Sequence, residues 1–247
     1  MQADGGLARI DARGTNVDGI FPADTPILYG MFGVDGDNPL VLADFNRYWE
    51  SMGSRSTRLY DLLNVKYLVA RKNVPVDRDK FTPVFDEQAI NIYGNTRMIP
   101  RAFVVFDTQV VADKNAAFDA IHAPSFEPTK TVVLEKPVNS GQWTVDGGQS
   151  SVNIVGYGPN EILMDANSSS DGVLVLSEIY YPGWRAWVDG QEVTVLRADF
   201  LFRAIELPAG SHRVRFLYDP PLFNIGLGLF AVTAMGLIAL GVKNWKN

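Results

Sequence analysis

Trp184-Arg185-Ala186-Trp187-Val188-Asp189-Gly190-Gln191 is the most telling stretch of this 247-residue chain. An Asp-Gly pair between two short runs of strand-forming residues is a strong two-residue hairpin signal. The tight turn needs positive φ at both central positions, and this pair tolerates it. If 184–188 is extended, Trp184, Ala186 and Val188 share one face while Arg185 and Trp187 share the other. Working outward, strands are expected at 130–135, 151–157, 161–166, 173–180, 185–188, 191–197, 200–206 and 212–218. Turn chemistry separates them: Gly147-Gly148, Gly158-Pro159-Asn160, Asp171-Gly172 and Pro208-Ala209-Gly210. Many short strands at this spacing indicate an antiparallel β-sandwich, jelly-roll-like, over 129–220.

The N-terminal half has a different texture. Residues 1–38 are rich in Gly and Asp, and Pro22 and Pro26 break any helix. Apolar residues at 41, 42, 45, 48 and 49 have helical spacing, and Thr57 could cap a second helix through Leu63. Strands follow at 65–70, 89–93 and 102–106, with a helix at 115–122. Residues 1–128 therefore read as a mixed α/β part without a regular βαβ repeat, and the whole chain as α+β.

From Leu222 to Val242 there is no charged residue. A helix over that stretch would rise about 31 Å at ~1.5 Å per residue, enough for a bilayer's hydrocarbon core. Lys243 and Lys246 follow it, and Asp219-Pro220-Pro221 precedes it. That charge bias places the C-terminus in the cytoplasm and the large N-terminal part outside. The small residues Gly226, Gly228, Ala231, Ala234, Gly236, Ala239 and Gly241 suit packing against other helices, but no two are four apart, as a small-xxx-small dimer motif requires. Met1-Gln2-Ala3-Asp4-Gly5-Gly6 begins no signal peptide. Two readings follow: a piece of a longer membrane protein, or a tail-anchored chain with its bulk in the cytoplasm.

Composition removes several chemistries. The net charge is −6 and no run of Lys or Arg exists, which excludes a nucleic-acid partner. No cysteine is present, which excludes thiolate zinc, iron–sulfur clusters, thiol catalysis and disulfides. Asp35-Gly36-Asp37 has the form by which some transferases hold a metal with a nucleotide sugar. As a calcium loop it fails, with Leu40 at position six and Asn46 at position twelve. A solvated turn fits it better. His122 and His212 have no adjacent ligand or nucleophile, and neither a nucleophile elbow nor a phosphate-cradling loop is present. Asn167-Ser168-Ser169 is a formal glycosylation sequon. No catalytic residue, metal site or cofactor is expected. The candidates are Arg185, Trp187 and Arg203, as a carbohydrate-binding platform of aromatic faces and guanidinium donors. Ordinary sandwich packing accounts for the same aromatics.

Tyr180-Tyr181-Pro182-Gly183-Trp184-Arg185-Ala186-Trp187-Val188-Asp189-Gly190, then 197–204 and 207–212, resembles the C-terminal periphery of the YfhO-like bacterial membrane proteins. Leu62-Leu63-Asn64-Val65-Lys66-Tyr67-Leu68-Val69 and Pro100-Arg101-Ala102-Phe103 match that pattern in the same order. Gly36-Asp37-Asn38-Pro39-Leu40 with Arg47-Tyr48 matches more weakly, because Asp37-Asn38 stands where the family has Tyr-Asp. The resemblance covers roughly 20–242. It implies a glycosyltransferase of the integral-membrane GT-C type, using lipid-phosphate-linked sugars, whose catalytic acids lie in an upstream multi-helix region. It transfers no catalytic residue here. It favours the longer membrane protein, whose upstream helices would carry this part across.

The expectation is therefore an extracytoplasmic part, 1–128 and 129–220, closed by a transmembrane helix at 222–242. Its partners are the bilayer, upstream membrane helices, and a lipid-linked sugar or envelope glycan that it positions for transfer. The alternative is a purely structural sandwich with no ligand. A self-contained hydrolase built on two carboxylates has no motif to support it.

Overall fold

The computed structural model describes residues 6–15, 17, 19–34, 40–138 and 149–245, with the side chains of 221, 224 and 239–245 left aside. Its elements, in order, are β1 (Arg9–Asp11), α1 (Thr25–Leu28), β2 (Phe32–Gly33), α2 (Ala43–Ser51), α3 (Arg58–Leu62), β3 (Val65–Arg71), β4 (Phe81–Asp86) and β5 (Ile90–Asn95). Next come β6 (Ala102–Val105), β7 (Asp107–Val110), α4 (Lys114–Ile121), β8 (Thr131–Leu134), β9 (Ser150–Tyr157), β10 (Glu161–Ser168) and β11 (Gly172–Ile179). The chain closes with β12 (Trp184–Val188), β13 (Gln191–Val193), β14 (Leu196–Ala198), β15 (Phe202–Leu207), β16 (Gly210–Tyr218) and α5 (Pro221–Trp245). The fold is mixed α+β, as expected.

Among the described residues the strands form three sheets. An N-terminal sheet runs β2-β1-β3-β5-β4, a central sheet β6-β11-β15-β14-β8-β7, and an outer sheet β13-β12-β16-β10-β9. The outer and central sheets enclose one core, with Ile162, Met164, Ala186 and Phe216 facing Leu174, Leu176, Ile205 and Leu207. The other face of the central sheet presents Val173, Val175, Phe202 and Ala204 to Phe45, Tyr48, Leu62 and Ile121 of the helices. Being covered on both faces is why 173–176 is an unbroken apolar run rather than an alternating one.

The Asp189-Gly190 hairpin forms as read. Val188 pairs with Gln191, and the turn residues have φ of 50° and 81°. Other expectations change. The strand expected over 191–197 is two strands in different sheets: β13 stays on the outer sheet, and β14 joins the central one. A single corner thus carries the chain between layers, as sandwiches require. β6 pairs with β11 and β7 with β8, so the central sheet draws strands from before the boundary expected at 128. β4 and β7 had no sequence signal, because both are edge strands with polar or proline positions that need bury only one face.

α5 leaves from a fastened root. Asp219 N donates to Gly183 O at 2.8 Å, and Asp219 Oδ2 accepts from Arg185 Nη1 at 3.2 Å. Gly183 has φ of 101°, and a Cβ there would lie 3.0 Å from Tyr218 Cε2 and 3.2 Å from the Pro220 backbone. Only glycine fits that approach. Along α5, Leu222, Phe223, Ile225, Leu227, Leu229, Phe230 and Val232 are exposed, and Thr233 turns its hydroxyl back to Leu229 O at 2.9 Å. Among the described residues no helix is long and apolar enough to cross a membrane. α5 runs continuously over Pro221–Trp245. The expected helix at 222–242 is thus present, while a membrane crossing is not shown.

Candidate functional site

One end of the sandwich gathers the unusual chemistry. β9 ends at Tyr157, β12 begins at Trp184 and β16 ends at Tyr218; Ile162 pairs with Tyr157 and Phe216, and Trp184 with Tyr218. α5 starts three residues later. At this end a cavity of 390 Å³ is lined by Phe32, Tyr157, the Gly158-Pro159 turn, Ile162, Glu178, Trp184 and Arg203. Pro159 is exposed while Tyr157, Gly158 and Trp184 are half-buried, so the cavity reaches the surface.

Glu178 is the hub. Its Oε1 accepts from Arg9 Nη2 at 3.0 Å, Arg101 Nε at 2.7 Å and Tyr157 OH at 2.8 Å. Arg9 also donates to Leu63 O at 2.8 Å and Ser177 O at 2.6 Å, and Arg101 donates to Leu7 O. Arg203 stands farther off, with Nη2 3.7 Å from Glu178 Oε2. Its guanidinium lies 3.7 Å from the centroid of the Trp184 ring. Arg101 lies 4.6 Å from the ring centroids of both Phe32 and Tyr157, which meet edge to face at 5.0 Å.

The electrostatics follow from burial. Burial pushes the Glu178 carboxyl up, but Arg9, Arg101 and Arg203 together hold it below the ordinary carboxylate range. Burial, reinforced by Arg9 and Arg101, brings the Arg203 guanidinium down to about 10 despite the pull of Glu178. It therefore stays protonated at neutral pH. Burial and then Glu178 push the Tyr157 hydroxyl up to about 12. Three arginines thus surround one carboxylate. Arg203 is 3% exposed, and its Nε and Nη1 are buried with no hydrogen-bond acceptor among the described residues. An unsatisfied buried donor on a charged group costs more than one on a neutral group, and natural structures rarely leave one unexplained.

The three residues expected as one platform do not come together. Arg185 and Trp187 do share the outer face of β12. Arg185 donates from Nε and Nη2 to Glu192 at 2.8 and 2.6 Å, which raises its pKa further. Trp187 lies between the guanidinium of Arg185, 5.0 Å from its ring centroid, and that of Arg215, at 5.4 Å. Arg215 in turn pairs with Glu161 at 2.7 Å. This face is a lattice of ion pairs around one indole. Arg203 lies across the core on β15, where its odd-numbered parity with Ile205 and Leu207 points it into the sandwich. Its aromatic partner is Trp184, not Trp187.

His122 bonds Phe118 O and Ser51 Oγ, and His212 pairs with Asp189, so both have structural partners. Asp35-Gly36-Asp37 lies outside the described residues. Among the described residues no group of three or more His, Cys, Asp or Glu could hold a metal. Sequence reasoning missed Arg9, Arg101, Tyr157, Glu178 and Trp184 as a site. One signal was available: Glu178 continues the apolar strand 173–176 without an intervening turn residue, so its charge had to be met inside.

A family model described as bacterial membrane protein YfhO matches residues 142–230. No curated protein and no solved structure matches the chain. The matched stretch contains Tyr157, Glu178, Trp184 and Arg203, and Arg9, Phe32 and Arg101 come from outside it. The resemblance carried by 180–212 is therefore supported: over residues 142–230 the chain is similar to the bacterial membrane protein YfhO family.

Proposed function

We propose that this chain is the extracytoplasmic C-terminal part of a YfhO-like membrane protein, with α5 in the bilayer and its last lysines in the cytoplasm. Its role is to hold the sugar of a lipid-linked donor or an envelope glycan while the membrane domain transfers it. The observation that carries this is the location of the aromatic-walled cavity, at the end of the sandwich from which α5 departs. A ligand tethered to a membrane would meet that end first. Supporting it, the uncharged stretch 222–242 and the exposed Leu and Phe side chains of α5 suit lipid. Concave sites with apolar walls and a few convergent polar groups are the usual form of small-ligand pockets. Titrating the whole chain in nanodiscs with neutral oligosaccharides, followed by tryptophan fluorescence, tests the reading. Saturable binding that Trp184→Ala weakens about tenfold and Trp187→Ala leaves intact supports the cavity. Loss only in Trp187→Ala would move the site to the outer face of β12, and no saccharide response from the folded chain would end the proposal.

One observation favours a ligand-free, structural role. Arg9 and Arg101, from the N-terminal part, reach Glu178 and the Ser177 carbonyl of the sandwich, which is what a staple between the two parts would do. In that case Glu178 variants change stability and no saccharide binds.

A further inference from the structure

We propose that the cavity beside Trp184 is a receptor for an anionic phosphoryl group, with Arg203 as its main ligand. This deepens the reading above, on which it rests for the position of the site. Three independent features converge. First, Arg203 Nε and Nη1 are buried and have no acceptor among the described residues, although the residue lines a cavity that reaches the surface. Second, Glu178 cannot serve them: its Oε1 already takes Arg9, Arg101 and Tyr157, and its Oε2 stays 3.7 Å from Arg203 Nη2. Third, three guanidinium charges against one carboxylate leave the cluster with a formal excess of two positive charges.

A buried excess of like charge is unstable by itself, and an incoming dianion relieves it. Geometry selects the chemical class. The Arg203 guanidinium lies over the Trp184 ring, 3.7 Å from its centroid, a contact that holds the side chain in place and leaves its N–H groups for hydrogen bonding. A planar fork of N–H donors matches two oxygens of a phosphate. Phe32, Tyr157 and Ile162 supply apolar wall for whatever carries that group. A lipid headgroup and a soluble phosphate ester share this chemistry.

The test is calorimetric titration of the whole chain in phosphatidylcholine nanodiscs with inorganic phosphate, repeated in discs containing phosphatidylglycerol. Saturable phosphate binding is expected, falling with added salt. If phosphatidylglycerol blocks it, the phosphoryl group is a lipid's; if not, it is a soluble one; both outcomes support the site. Arg203→Lys keeps the charge but loses the fork, and should weaken binding about tenfold. Glu178→Gln removes the carboxylate that faces the three arginines and should tighten it several-fold. Opposite effects of the two substitutions cannot come from misfolding. Absence of phosphate binding in both kinds of disc, or equal affinity in wild type and both variants, overturns the proposal. Neutral oligosaccharide binding without phosphate binding would overturn it while leaving the sugar reading in place.

Discussion

The two ends of the sandwich handle charge in opposite ways. At the end nearest α5, Glu178, Arg9, Arg101 and Arg203 are largely withdrawn from water. At the far end a larger cleft, 620 Å³, is lined by Asp171, Asp189, Glu192, Glu206 and His212. There Asp189 accepts from His212 Nδ1 at 2.7 Å and from Arg213 N at 2.8 Å, with half its side chain in solvent. Asp171 accepts from Ala209 N at 2.8 Å. The bigger cleft is the less informative one. Exposed charges are met by water whatever else is nearby, so their arrangement costs little and signifies little. Buried charges must be met by something specific, and at the α5 end Arg203 is not fully met by the protein.

Substitutions at the two ends should differ accordingly. Glu178→Leu leaves three arginines without a counter-charge and should cost about 3–5 kcal/mol, measured by urea unfolding. Glu178→Gln, which can still accept hydrogen bonds, should cost much less. A loss under about 1 kcal/mol for Glu178→Leu would erase the contrast between the ends.

Asp199 sharpens the same contrast, since it lies four residues before Arg203 and is fully buried. Its Oδ1 accepts from Val133 N at 2.8 Å, its Oδ2 has no partner among the described residues, and burial pushes its carboxyl up from 3.8 to about 7. The unfolded chain ionises first at this position, so the contribution of Asp199 to stability is greatest below about pH 4 and falls as pH rises towards 7. Asn suits the left-handed backbone at this position, φ 48°. Asp199→Asn should therefore stabilise the protein by up to roughly 4 kcal/mol at pH 8, and by little at pH 4. Parallel pH–stability curves for variant and wild type would refute the assignment.

Between the two tryptophans of β12 the expected gap is smaller. Trp184→Ala opens space against Arg203 and Tyr218 and should cost about 2 kcal/mol, against under about 1 kcal/mol for Trp187→Ala on the outer face. Thermal melts of the two variants decide it. The smallest effect belongs to the far end. His212 donates to Asp189 and, through Nε2, faces Ala209 O at 3.2 Å, so both nitrogens meet acceptors and the imidazolium is favoured. The Asp189 hydrogen bond raises its pKa above 6.5. The stability it adds is complete below about pH 6.5 and is lost as pH rises through the folded value. An NMR titration should place its midpoint above 6.5, and Asp189→Asn should lower it; an unchanged midpoint would remove the pair.

Much of the fold was legible because it rests on local rules. Asp189-Gly190 makes its hairpin, Trp184, Ala186 and Val188 share the core face, and Pro220-Pro221 marks the start of α5. Illegible were elements whose place depends on a distant partner. β1 is a three-residue strand recruited by β3, and β13 and β14 separate into different sheets although the chain between them is two residues long. The site belongs to this second class. Arg203 was legible as a candidate by its type, while its pairing with Arg185 and Trp187 was not borne out by position.

The amino-acid sequence alone determined the alternation of the sandwich strands, the hairpin, the apolar C-terminal segment, and the absence of thiol chemistry. All of these follow from neighbours within a few residues, where backbone geometry dictates which side chains share a face. Only the tertiary structure decided that Arg9, Arg101, Glu178 and Arg203 would meet beside Trp184. Electrostatic pairing depends on distance through space and on the exclusion of water, and neither is encoded in any local period. Residues far apart in the chain close around Arg203, and among the described residues they leave two of its donors without an acceptor.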